Sequence, residues 1–277
     1  MLLREQTLET QITFPRYFEA FTSPTYKSNF YTSTMKAQAE KIDSFDLNPN
    51  HVLAGKYQVL EKLGSGWEGE VYKIREIRTG IERAAKFFYP ERNPKNKNLK
   101  FYATKLHKLK DCSILIQYHT EETIVFKKTP ITFLVSEFVA GEMLSVFLKK
   151  QKGNRLHTYQ GLHLLYALVK GFEEIHARNE YHGDLHSENI MVCKQGLGFE
   201  LKLLDMIHWK TPKKENIQDD ICDMIRIFYD SIGGSKHYSK HPKHIKEICC
   251  GLKRTLILQK FKTTSHLRRH LETMCFE

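Results

Sequence analysis

Apolar and polar positions change rhythm once along this chain. From residue 57 to about 140 the period is mostly two. Tyr57-Gln58-Val59-Leu60-Glu61-Lys62-Leu63 alternates as a half-buried strand does, and Val71 to Ile77, Ala84 to Phe88 and Val135 to Val139 read as further strands. One stretch, residues 97–110, breaks the alternation: Leu99, Tyr102, Leu106 and Leu109 recur at spacings of three and four, which predicts a helix. Beyond 140 helical spacing dominates. Leu162, Leu165, Leu168, Val169, Phe172 and Ile175 line one strongly apolar helix, and Ile190 to Val192 with Leu201 to Leu204 form a hairpin around a turn at 194–199. Near the end, Ile245, Ile248, Cys249, Leu252 and Leu256, then Leu267, Leu271 and Met274, are expected to face inward. The pattern predicts a twisted antiparallel sheet carrying one helix, followed by a mainly helical half.

Between the first two strands lies Gly64-Ser65-Gly66-Trp67-Glu68-Gly69. A glycine-rich turn lets backbone approach a phosphate chain without Cβ clashes. A strand follows rather than a helix, which favours a phosphate-covering hairpin over a dinucleotide-binding turn. Lys86 then sits inside the apolar run Ala84-Ala85-Lys86-Phe87-Phe88. A lysine there needs an anion, because a buried unpaired ammonium is costly.

The densest polar stretch is His182-Gly183-Asp184-Leu185-His186-Ser187-Glu188-Asn189, with Asp205 sixteen residues beyond Asn189. These side chains suit phosphoryl transfer. Asp184 would receive the proton of an attacking hydroxyl, and Asn189 and Asp205 would hold Mg2+ against a nucleotide's phosphates.

In this order the glycine loop, Lys86, Asp184, Asn189 and Asp205 resemble the protein kinase superfamily, over roughly residues 55 to 235. Val135 to Leu144 looks like the hinge between that family's two lobes. The resemblance implies an α+β, two-lobed, protein-kinase-like fold: an N-lobe at 51–139 and a reduced C-lobe at 140–277. It implies a compact serine/threonine kinase of bacterial, eukaryotic-like type, using ATP and Mg2+. Gly64, Ser65, Gly66 and Gly69 would cover the β/γ-phosphates and Lys86 would grip the α/β-phosphates. Backbone groups of Glu137 and Val139 would bond adenine, with Ser136 behind it. Val71, Ala84 and Met191 would sandwich the ring, and Glu142 would reach the ribose. His186 would stabilise transferring charge, and His182 would brace the loop. Asp219-Asp220 resembles the start of the helix whose aspartate ties down the catalytic loop, with Asp220 the expected anchor; a helix N-cap is the plainer role for it. Gly233-Gly234 would end that helix.

Several departures limit the resemblance. Gly183 stands where the family usually has arginine, and His186 where it usually has lysine. His182-Gly183-Asp184-Leu185-His186 resembles the spelling of the antibiotic and choline phosphotransferases, which act on small molecules. Asp205-Met206-Ile207 replaces Asp-Phe-Gly, and no Ala-Pro-Glu follows. No acid occurs from Arg92 to Lys110, so the helix glutamate that normally pairs with the strand lysine is missing. Glu121, Glu122 or Asp205 would have to substitute. Fourteen residues, 206–219, separate Asp205 from Asp220, with Thr211 the single hydroxyl among them. That leaves little shelf for an extended peptide. A small-molecule kinase and a nucleotide-binding pseudokinase scaffold therefore stand beside the protein kinase reading.

The chain has 277 residues and a formal charge of +11, seven of it between Lys236 and Glu277, where ten Lys/Arg face three Glu. Acidic partners, including an acidic protein substrate, suit this surface, while solubilising charge on outer helix faces is the simpler reading and nucleic acid a distant one. Six cysteines show no framework. Cys222, Cys249 and Cys250 read as buried free thiols, since adjacent cysteines do not suit zinc with His266 and His270. Residues 1–50, rich in Thr and Ser with Pro15, Pro24 and Pro49, are expected to form a partly ordered or mobile extension in which Met35 could serve as a second start. No apolar run is long enough to span a bilayer and no signal pattern opens the chain, so a cytoplasmic location is expected.

Overall fold

The computed structural model describes residues 41–196, 198–206 and 212–275. Residues 1–40, with Met35, and Ile207 and Thr211 of the segment after Asp205 lie outside them.

The four predicted strands assemble with two others, Val52–Leu53 and Tyr118–Phe126, into one antiparallel sheet of six. In chain order they are β1 (Val52–Leu53), β2 (Tyr57–Ser65), β3 (Gly69–Glu76), β4 (Glu82–Phe88), β5 (Tyr118–Phe126) and β6 (Thr129–Glu137). Their spatial order is β1-β2-β3-β4-β6-β5. The sheet serves two cores because side chains alternate across it. Tyr72, Ile74, Ala85, Phe87, Phe133 and Val135 fill an outer core, where the Phe87 and Phe133 rings stack with centroids 4.6 Å apart. Each such phenyl contributes about 1.5–3 kcal/mol by leaving water. Ile42, Phe45 and Leu47 from the expected N-terminal extension are buried in this same core.

The opposite face of β3 and β4 carries Val71, Lys73, Ala84 and Lys86 as cross-strand pairs, Val71 opposite Lys86 and Lys73 opposite Ala84. Helix α1 (Lys97–Lys108) packs beside that face, burying Leu99, Tyr102 and Leu106 as their spacing requires. It also buries Lys105, which the apolar pattern does not mark.

The second lobe is mainly helical: α2 (Leu144–Lys150), α3 (Thr158–Ala177), α4 (Lys213–Ser231), α5 (Gly234–Tyr238), α6 (Lys243–Cys249), α7 (Arg254–Lys260) and α8 (Thr264–Thr273). A three-stranded sheet packs against α2 and α3: β7 (Glu142–Met143), β8 (Ile190–Gln195) and β9 (Phe199–Leu203), with β8 and β9 forming the expected hairpin. Helix α3 is the axis of the larger core; its Leu164, Leu165, Leu168, Val169, Phe172 and Ile175 are inaccessible to solvent.

Two helical expectations need correction. Helix α4 begins at Lys213, not at Asp219, so Asp220 lies in its second turn and the N-cap role falls away. Leu256 is 45% exposed, whereas Ile257 is buried. The cause is a break at Cys250-Gly251-Leu252, all with positive φ, which resets the helical phase before α7. Cys249 is buried, while Cys222 and Cys250 are only half-buried; all three are free thiols. Burial pushes the Cys249 thiol up to about 12. Among the described residues no helix is long and apolar enough to cross a membrane.

Candidate active site

Strand β4 carries Lys86 on the face opposite the outer core, flanked in sequence by the outer-core residues Ala85 and Phe87. Its ammonium lies 2.6 Å from Oδ1 of Asp205, just past the end of β9, and 3.0 Å from Oε2 of Glu68 in the glycine loop. The rings of Tyr102 and Phe88 lie 4.9 and 5.3 Å from it. Burial alone would lower the affinity of Lys86 for its proton, but Asp205 and Glu68 outweigh it and hold the group above its ordinary range. Burial would raise the Asp205 carboxyl; Lys86, with a hydrogen bond from Tyr102, holds it below its ordinary value instead.

No acid of α1 takes part, as its composition requires. Glu122 faces Lys56 at 2.6 Å on the far strand β5, and Glu121 beside it is exposed. Of the three acids that could have replaced the missing helix glutamate, Asp205 is the one on Lys86. Glu68 and Tyr102 were not singled out from the sequence. A charge in a loop has no period, and the spacing that places Tyr102 on a buried face says nothing about its hydroxyl.

The 182–189 loop is fixed from below by Asp220, which is fully buried. Its carboxylate accepts the backbone N–H of His182 at 2.8 Å and of Gly183 at 3.0 Å, and lies 3.1 Å from Nε2 of His176. Gly183 has φ +87°, a conformation that suits glycine and would strain the family's usual arginine. His182 donates from Nε2 to the Leu204 carbonyl at 2.7 Å and accepts the Asp184 N–H at Nδ1, 3.3 Å away. It is fully buried, and burial holds its pKa below the usual imidazole value, which agrees with a neutral ring that both donates and accepts.

Above that anchor, Asn189 donates from Nδ2 to the carbonyl of Asp184 at 2.8 Å and to its Oδ2 at 3.3 Å. His186 Nε2 lies 3.5 Å from Asp184 Oδ2 and 2.9 Å from the Asn189 amide nitrogen. Both Asp184 and His186 are substantially open to solvent. The Leu204 N–H bonds to the Asn189 carbonyl at 2.9 Å, so this cluster and Asp205 are joined through Leu204.

The glycines of the loop differ in what they need. A Cβ at Gly69 would lie 1.8 Å from the Phe87 carbonyl oxygen, so strand packing demands glycine there. At Gly64 and Gly66 a Cβ would meet nothing within 4 Å. The fold itself leaves those two free, and the open space above them suits a ligand's phosphates. At the hinge, the Glu137 N–H is bonded to the Gln117 carbonyl at 2.8 Å and its carboxylate to Lys202 at 3.0 Å. Val139 and Met191 are half-buried, Met191 opposite Met143. Glu142 pairs with Lys150 at 2.6 Å. The oxygen donors of Asn189 and Asp205 are of the hard type that Mg2+ prefers.

The Protein kinase domain family matches residues 57–239. Among curated proteins the chain is similar to Serine/threonine-protein kinase pkn2 of Myxococcus xanthus, 30% identical over 159 residues, which is 56% of this chain and 18% of that protein. It is similar to Misshapen-like kinase 1 of Rattus norvegicus, 26% identical over 157 residues, 55% of this chain and 11% of that one. Serine/threonine-protein kinase mig-15 of Caenorhabditis elegans is 24% identical over 171 residues, 59% of this chain and 15% of that one. The alignments thus take in well under a third of each relative's length. With that match over more than half its length, and with the fold and site just described, the chain belongs to the protein kinase superfamily.

Proposed function

We propose that this protein is an ATP- and Mg2+-dependent phosphotransferase that moves the γ-phosphate to a serine or threonine hydroxyl of a protein substrate. The observation that carries the reading is the 2.6 Å contact between Lys86 and Asp205, residues 119 apart in sequence, beside a loop held by buried Asp220. Asp184 takes the proton of the acceptor hydroxyl as its oxygen bonds to phosphorus and the bond to the leaving diphosphate breaks. Lys86 holds the α/β-phosphates, which replace Glu68 as its second anionic partner. Asn189, whose Nδ2 is committed to Asp184, offers its amide oxygen to Mg2+, and Asp205 offers its carboxylate. When bound, Mg2+ neutralises charge on the phosphates. Gly64, Ser65, Gly66 and Gly69 cover the phosphates; Val71, Ala84 and Met191 line the adenine; the carbonyl of Glu137 and the backbone of Val139 bond its edge. Glu142 reaches the ribose only by leaving Lys150. His186, beside Asp184, stabilises the transferring charge.

Two sequence features favour a second acceptor class, a small molecule. His182-Gly183-Asp184-Leu185-His186 resembles the spelling of the antibiotic and choline phosphotransferases, and only fourteen residues, 206–219, separate Asp205 from Asp220. Incubating the pure protein with γ-labelled ATP and Mg2+, alone, with cell extract and with an aminoglycoside, separates the readings. Label on protein hydroxyls supports the first, label on the small molecule the second, and no label in any arm rejects both.

A further inference from the structure

In the family, an acid on the helix beside Lys86 pairs with that lysine; here the same face presents Tyr102. The Tyr102 hydroxyl makes two bonds to one residue. It accepts the Asp205 N–H at 2.7 Å and donates to Asp205 Oδ1 at 3.2 Å, the oxygen that Lys86 also contacts. Its ring is buried, 5% exposed, between the turns that carry Leu99 and Leu106. Asp205 itself sits at φ +50°, a left-handed conformation that a non-glycine residue holds only with local support.

A carboxylate at position 102 could not perform this task. It has no proton to donate to Asp205, and it would be a third acid beside Asp205 and Glu68 around one ammonium. A neutral hydroxyl satisfies the backbone N–H and the carboxylate at once. We propose that Tyr102 is a positioning residue, which fixes the strained backbone and the carboxylate of Asp205 and so links α1 to the nucleotide–metal site without an ion pair of its own. This rests on the phosphotransferase reading above. Displacing α1 would then disturb the metal ligand directly, with Lys86 following through Asp205.

Tyr102→Phe tests it, since the ring, its packing and its cation–π contact stay while both hydrogen bonds go. In the full chain, free of nucleotide and Mg2+, hydrogen exchange of the segment around Asp205 is expected to quicken by about tenfold, as loss of a hydrogen bond of ordinary strength implies. With a fluorescent ATP analogue, the Mg2+ concentration for half-saturation is expected to rise about five- to tenfold while binding without Mg2+ is unchanged. A merely structural tyrosine would lower the melting temperature and leave the Mg2+ dependence where it was. Unchanged exchange at Asp205 and unchanged Mg2+ dependence in a folded variant overturn the proposal. Should the wild type show no Mg2+-dependent nucleotide binding, the phosphotransferase reading falls first; faster exchange at Asp205 in the variant would still support the Tyr102 lock.

Discussion

Lys86 lies 2.6 Å from Asp205 and 3.0 Å from Glu68, so one buried ammonium joins β4, the glycine loop and the end of β9. Replacing it by methionine keeps the stem and removes the charge. Lys86→Met is expected to lower the transfer rate by about 10²–10³-fold, the usual loss when one electrostatic stabiliser of a developing charge is removed. Single-turnover transfer of labelled phosphate, with the melting temperature as a control for folding, checks this.

Glu68 occupies Lys86, and on the phosphotransferase reading it would also repel a phosphate brought to that lysine. Glu68→Gln is therefore expected to tighten ATP binding by about fivefold, equivalent to about 1 kcal/mol for one partly exposed ion pair. Titration calorimetry with ATP and Mg2+ reads the change directly. Weaker binding in the variant would show instead that Glu68 helps to hold the loop over the phosphates.

Asp219 and Asp220 are neighbours with opposite stakes. Asp220 is fully buried and accepts the backbone N–H groups of His182 and Gly183, whereas the Asp219 side chain is 53% exposed and pairs with Arg254 at the surface. Asp220→Ala leaves both donors without an acceptor and should cost about 3–5 kcal/mol. Asp219→Ala should cost less than about 1 kcal/mol. Parallel denaturant melts of the two variants test the difference.

The pH dependence of stability should carry the mark of Asp223. Its carboxyl is raised from 3.8 to about 7, so the folded state favours the protonated form. Its stabilising contribution is complete below pH 3.8 and is lost as pH rises through about 7. Asp223→Asn should accordingly be more stable than wild type at pH 8 and should lose that advantage as pH falls towards 5. Thermal melts of both proteins across this range decide it; a constant difference would mean that Asp223 does not titrate there.

Much of the candidate site is legible in the sequence because its residues break local rules. Lys86 interrupts an apolar strand, Asp184 and Asn189 crowd a loop after an apolar helix, and Asp205 ends an apolar run; each needs a partner that secondary structure alone does not provide. The sheet was legible from alternation, since Phe87 and Lys86 must point opposite ways. Tyr102 obeys the rule instead of breaking it, so its hydroxyl was hidden among Leu99, Leu106 and Leu109. The early start of α4 was hidden because Lys213 to Gln218 has too few apolar residues to show a face. Leu256 was misplaced because left-handed residues at 250–252 shift the helical phase, and only Gly251 among them advertises that freedom.

The most direct measurement compares wild type with Asp184→Asn for transfer of labelled γ-phosphate and, in the same samples, for ATP binding. Asparagine keeps the shape and the hydrogen bonds to the loop but accepts no proton. Transfer by the wild type, its loss in the variant and equal ATP affinity are the expected outcome. Full turnover by Asp184→Asn, or a wild type that binds no nucleotide, would contradict the assignment of this cluster as a phosphoryl-transfer centre.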